Sequence, residues 1–262
     1  MTKTMLEPQR ISSDQLLAFM KRYLTQRGKQ ELFDDQKHIE YFERLSQTVT
    51  DERNVTVLFV KLYLELIIAP AEGYVADDLP NNVPDLMLSY VNILNQNLKE
   101  GKLKDATVQR NAKVVAWECL RQTFKPETAK LETVLDALAA LEGGDDTAKK
   151  TAEQHLNYLE DRLSLIRTKS ANQRLDFALA PLAEYLAGLY RVETFGNDEA
   201  SWQGFLAEAR EKLGNQEDIH GFLLAVRDCC IARAKELRIS ASRNNYSRSF
   251  QLESSLAILG NA

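Results

Sequence analysis

Three cysteines, three histidines and three pairs of adjacent aspartates are the residues here with the chemistry for nucleophilic, metal-binding or acid–base work. His38, His155 and His220 lie far apart, and none stands at a ligand spacing from a cysteine or a second histidine. The three or four converging ligands of a metal centre are therefore not offered. Adjacent Cys229 and Cys230 would close a strained ring if bridged, and one of the three thiols, Cys119 included, stays unpaired in any pairing. That usage fits a reduced, intracellular protein, and no Cys-x-x-Cys redox spacing occurs. Asp34-Asp35, Asp77-Asp78 and Asp145-Asp146 fall in loops or at helix starts, where carboxylates are solvated or offset the helix dipole rather than sharing a proton. No Gly-x-Ser-x-Gly elbow is present. The Gly-Lys pairs, Gly28-Lys29 and Gly101-Lys102, have Tyr23 and Gln96 where a phosphate-cradling loop needs its first glycine. They have Gln30 and Leu103 where it needs a hydroxyl for magnesium. The expectation is a chain that is not an enzyme by itself, with no catalytic residue, no metal site and no cofactor.

The elements that carry these residues read as helix nearly throughout. Of 262 residues 44% are hydrophobic, enough for real cores, while glycine (11) and proline (6) are few. The net charge of -5, from 33 basic and 38 acidic residues, excludes an overall basic field for nucleic acid or an anionic membrane. The N-terminus lacks the apolar core of a signal peptide, and the most apolar run, Val55 to Ala69, is interrupted by Lys61 and Glu65. A soluble, cytoplasmic protein without membrane contact is expected.

Apolar spacing predicts helices from Ser12 to Gly28, about Gln36 to Thr48, Asn54 to Ile68, Pro84 to Lys99, Thr107 to Phe124, Lys130 to Leu141 and Ala148 to Leu163. Gly143-Gly144-Asp145-Asp146-Thr147 reads as a turn and cap before the last of these. The period then changes: Ser164 to Thr168 and Arg174 to Ala178 are short β-compatible runs around a polar loop. Three helices followed by a two-stranded wing describe a winged helix, closed by a helix from Leu179 to Tyr190. Trp202 to Leu213 and Ile219 to Leu237 form a further helical pair, and a short helix is expected near Phe250 to Leu259. The fold class is mainly α: a helical bundle, a winged-helix domain with a two-stranded β-hairpin, then C-terminal helices.

Three phrases carry a family resemblance. Val55-Thr56-Val57-Leu58-Phe59-Val60-Lys61-Leu62-Tyr63 resembles the end of the helical lid in NACHT-type STAND signal-transduction NTPases. Leu79-Pro80-Asn81-Asn82-Val83-Pro84-Asp85-Leu86-Met87-Leu88-Ser89-Tyr90 resembles the helix that follows it in that family. Phe177-Ala178-Leu179-Ala180-Pro181-Leu182-Ala183-Glu184-Tyr185-Leu186-Ala187 is similar to the winged-helix signature Phe-x-His-x-Ser/Thr-Phe-Gln-Glu-Tyr/Phe-Leu-Ala. The resemblance implies a helical lid-like bundle over 1–104, a winged-helix domain over 105–195 and a C-terminal helical region with a basic tail over 196–262. It implies structural roles for Phe177, Glu184 and Tyr185. The family's nucleotide-contact positions, a lid proline and a winged-helix histidine, correspond to Val57 and Leu179 here, and a leucine cannot donate to phosphate.

The function so implied is a non-catalytic regulatory or protein-interaction segment of a NACHT-type signalling switch, in a setting such as bacterial immunity or stress signalling. Its partner would be a protein, such as a separate nucleotide-binding chain or domain. The alternative is a winged-helix nucleic-acid-binding regulator, contacting its ligand through Arg167, Lys169 and Arg174 of the wing and Arg238 and Arg243 of the basic tail. Against it, the third helix offsets Lys149, Lys150 and Arg162 with Glu153, Glu160 and Asp161.

Overall fold

Met20 and Leu24 are one turn apart and fully buried, and they make the inner stripe of helix α1, Ser13–Gln26. Gly28, at φ 64°, ends that helix in the left-handed conformation that a side chain resists. The computed structural model describes residues 13–34, 36, 38, 40, 57–73, 79–98, 100–169, 171, 173–214 and 219–241. The expected helices near 36–48 and 250–259, Asp35, Asp77, Asp78 and Arg243 fall wholly or mostly outside that set. The chain divides into two compact units, Met1–Ile93 and Leu94–Ala262.

In the first unit, helix α2, Val57–Ile68, buries Phe59, Val60, Leu62, Tyr63, Leu64, Leu66 and Ile68. So apolar a helix is covered on most faces. Polar ties join it to α1 and the residue after it: the Tyr23 hydroxyl donates to Glu65, and the Arg27 guanidinium stands 3.4 Å from Glu65 and 3.6 Å from Glu72, just beyond α2. Burial, then the bond to Glu65, pushes the Tyr23 phenol well above its ordinary range. Helix α3, Val83–Gln96, starts on Asn82, whose Oδ1 accepts from the Asp85 amide at 2.9 Å, with Pro84 in the first turn.

The second unit is built on helix α4, Asp105–Leu120, whose residues 111–116 are all buried, Asn111 and Lys113 among them. Lys113 reaches out to Glu193 at 2.5 Å. The helix ends four residues before Phe124, the expected last residue. Phe124 takes φ 56°, against the usual preference of a bulky side chain, and so delivers its ring to the core. There it lies 5.1 Å from Phe205 and 5.3 Å from Phe222, centre to centre.

Strand β1, Ala129–Lys130, and helix α5, Leu131–Ala140, come next. Gly143 and Gly144, both at positive φ, turn the chain into helix α6, Asp146–Asn157. Its N-cap is Asp145, whose carboxylate accepts from the Ala148 amide at 2.7 Å. The expected helix to Leu163 instead passes into a π-helical turn, Tyr158–Arg162. That extra residue per turn lets the Tyr158 hydroxyl meet Asn95 and the Leu103 amide, while Glu160 reaches Thr168.

Strands β2, Ile166–Lys169, and β3, Arg174–Phe177, form the expected hairpin, with Ile166 opposite Phe177 and Lys169 opposite Arg174. The sheet is three-stranded and not two-stranded, because β1 adds to it antiparallel in the order β1-β3-β2. A strand of two residues is too short to show alternation in sequence. Helices α7, Ala180–Phe195, α8, Glu199–Gly214, and α9, His220–Ala241, complete the unit. The described architecture is thus mainly helical with one small antiparallel sheet.

Candidate functional site

Phe177, Glu184 and Tyr185 stand where β3 turns into α7. Phe177 is the buried last residue of β3, and Leu179, half-buried and extended at φ −128°, is the N-cap of α7. Its side chain supplies no cap, and Pro181 occupies the first turn, where the missing amide costs nothing. Val57, the other family nucleotide-contact position, is the first residue of α2.

Two polar residues of α7, Glu184 and Tyr185, both engage α9. Tyr185 is fully buried, and its hydroxyl donates to Asp228 Oδ2 at 2.7 Å. Glu184 lays its carboxylate against Gly221, in the first turn of α9. A Cβ built on Gly221 would fall 2.3 Å from Glu184 Oε1, so any larger residue there would have to turn the carboxylate aside. A carboxylate beside the N-terminal turn of a helix is favoured by the exposed amides and the dipole. One turn further along α7, a Cβ on Gly188 would lie 3.2 Å from Cys229 Sγ and 3.3 Å from the backbone of Ala225. The helices touch backbone to backbone there, and the Cys229 thiol lies 3.6 Å from the Tyr185 carbonyl.

Asp228, Gly188 and Gly221 are positions of this helix seam that local patterning passes over. Their signals were a carboxylate inside the apolar run Phe222 to Ile231 and two glycines within helices, each costing about 1 kcal/mol against alanine. Tyr185→Phe should destabilise the unit by about 2 kcal/mol, because the buried Asp228 carboxylate loses its hydroxyl donor. Urea denaturation of the two proteins side by side checks this.

Of the sequence-proposed basic contacts, Arg167, Lys169 and Arg174 lie on the paired strands β2 and β3, with Lys169 directly opposite Arg174. Arg174 is turned inward, its Nε donating to Thr128 Oγ1 at 2.6 Å and another nitrogen to the Thr128 carbonyl. Lys169 pairs with Asp176 at 2.7 Å, and Arg167 is exposed on β2. Arg238 lies in α9, and Arg243 falls outside the described residues. A recess of about 50 Å³ beside β1 is lined by Cys119, Thr123, Thr128, Thr133 and Arg174. Its enclosed space is enough for a few waters.

All three cysteines are buried thiols outside any disulfide. Burial pushes the thiols of Cys119 and Cys230 up to about 12 from an ordinary 9.0. A folded-state pKa above the unfolded one holds its stability below pH 9.0 and loses it as pH climbs toward 12. Thermal melts at about pH 8 and about pH 10.5 should show that loss on the alkaline side, with thiol reagents reacting only after unfolding. Among the described residues no group of three or more His, Cys, Asp or Glu is placed to hold a metal ion. Among them, too, no helix is long and apolar enough to cross a membrane.

No curated protein and no solved structure matches this chain. Residues 211–242 match the family model described as NACHT C-terminal Helical domain 4. The matched segment contains all of α9, and with it Gly221, Ala225, Asp228 and Cys229, the side of the seam that α7 grips. The match supports a NACHT-associated C-terminal region in this chain.

Proposed function

We propose that this chain is the non-catalytic lid and winged-helix portion of a NACHT-type signalling switch, a module that packs against a nucleotide-binding chain or domain. The observation that carries the reading is the grip of Glu184 and Tyr185 on Gly221 and Asp228. A signature read from one helix has its partners inside the segment that a NACHT family model matches independently. The order helix, strand, helix, helix, strand, strand, with β3 in the middle of the sheet, supports a winged helix over α4 to β3.

With Leu179 in place of a hydrogen-bonding side chain, the module's own contribution is mechanical. It holds one packing at rest and another on activation, and the energy difference between them sets the switch. With Lys169 and Arg174 held by Asp176 and Thr128, the wing offers little charge to a phosphate backbone.

Affinity purification of the tagged chain from its own cell, followed by mass spectrometry, tests the proposal. Recovery of a chain carrying Gly-x4-Gly-Lys-Ser/Thr is the expected result. A protein recovered alone that binds duplex DNA with steep salt dependence would replace this reading with that of a nucleic-acid regulator.

A further inference from the structure

β3 passes into α7 through Ala178 and Leu179 alone, and neither is a glycine. The link is pinned as well as short, because the Ala178 amide donates to the Leu165 carbonyl at 2.8 Å, just ahead of β2. On the far side, α7 meets α9 through Glu184 at Gly221, Tyr185 at Asp228 and Gly188 at Ala225 and Cys229. Those contacts occupy somewhat more than one turn of α7 and about two turns of α9, enough to set position and rotation together. Phe222, fully buried on α9, stands 5.3 Å from Phe124 and 6.1 Å from Phe205, so the same helix is also held by the aromatic core. Close-packed seams of this kind are bistable: the helix is seated or it is released, with no gradual slide between.

We infer that β2, β3, α7 and α9 form one rigid transmission element, so that displacement of α9 reaches the sheet without a hinge in between. What such a movement is for rests on the proposed signalling role, while the mechanical unity belongs to the chain alone. The wing and the C-terminal helix therefore report to each other. A partner that engages α9 shifts the strands, and a partner on the strands loads α9.

Native-state amide exchange on the whole chain, followed across a series of low denaturant concentrations, tests this without any nucleotide-binding partner. Amides of 166–169, 174–177 and 222–230 are expected to converge on a single opening event with one denaturant dependence. Tyr185→Phe should then speed exchange in all three segments by the same factor, about thirtyfold. Opening of 222–230 at lower denaturant while the strands stay protected would overturn the inference, as would a Tyr185→Phe effect confined to α9. Either outcome leaves the purification result standing, and failure of that purification leaves this one standing.

Discussion

Gly188→Val is expected to lower stability by about 3 kcal/mol and the melting temperature by about 9 °C. Gly188 faces the backbone of Ala225 at 3.3 Å and the Cys229 sulfur at 3.2 Å from where a Cβ would sit. Backbone cannot rotate aside as the end of a lysine can, so a branched side chain must push α7 and α9 apart. The separation breaks more than the local contact, since the Tyr185 to Asp228 bond a turn away needs its 2.7 Å approach. Gly188→Ala is the graded control. Its single methyl asks for a few tenths of an ångström, and the gain of about 1 kcal/mol in helix propensity offsets part of that cost. Thermal denaturation followed by circular dichroism decides it, and a valine variant as stable as the parent would mean that the helices are not in close contact.

Phe124→Ala is expected to cost about 4 kcal/mol, because the ring is fully buried among Trp117, Phe205 and Phe222 and little can collapse into the space it leaves. Phe124→Gly provides the sharper test. At ordinary loop or helix positions glycine is the worse replacement, yet at φ 56° an alanine keeps a backbone strain of about 1 kcal/mol that glycine relieves. The glycine variant should therefore be at least as stable as the alanine variant, although it has lost more side chain. Urea midpoints of the two proteins measure the difference, and the ordinary ranking would show that the left-handed turn at Phe124 contributes no strain.

Much of the helical framework is legible in local patterning. Met20 and Leu24 on one face, the Gly143 and Gly144 turn, the Asp145 cap and the shift of period after Leu163 all leave marks within a few residues of themselves. The departures have physical causes of longer range. Helix α4 stops short because Phe124 is wanted in a core made with residues some eighty and a hundred positions later. The π-helical turn at Tyr158 answers to Asn95, 63 residues away. Strand β1 exists only because β3 presents an edge to it. The site divides the same way: Glu184 and Tyr185 stand out in a phrase of eleven residues, whereas Asp228 lies 43 residues from Tyr185 in a run where periodicity marks only apolar packing. Pairings that close over such distances leave no period behind, and geometry alone reveals them.

Glu160 has a consequence for how the molecule meets its own copies. β2 is an outer strand of the sheet, and the Glu160 carboxylate takes both the Thr168 amide and its hydroxyl at 2.5 Å. An outer strand with open amides is a template for edge-to-edge pairing and ultimately for aggregation. Here a carboxylate from a π-helical turn occupies the template, while Arg167 and Lys169 add exposed charge along the same strand. A neighbour's strand laid along β2 would have to displace that carboxylate and meet those charges, so this edge of the small sheet resists extension.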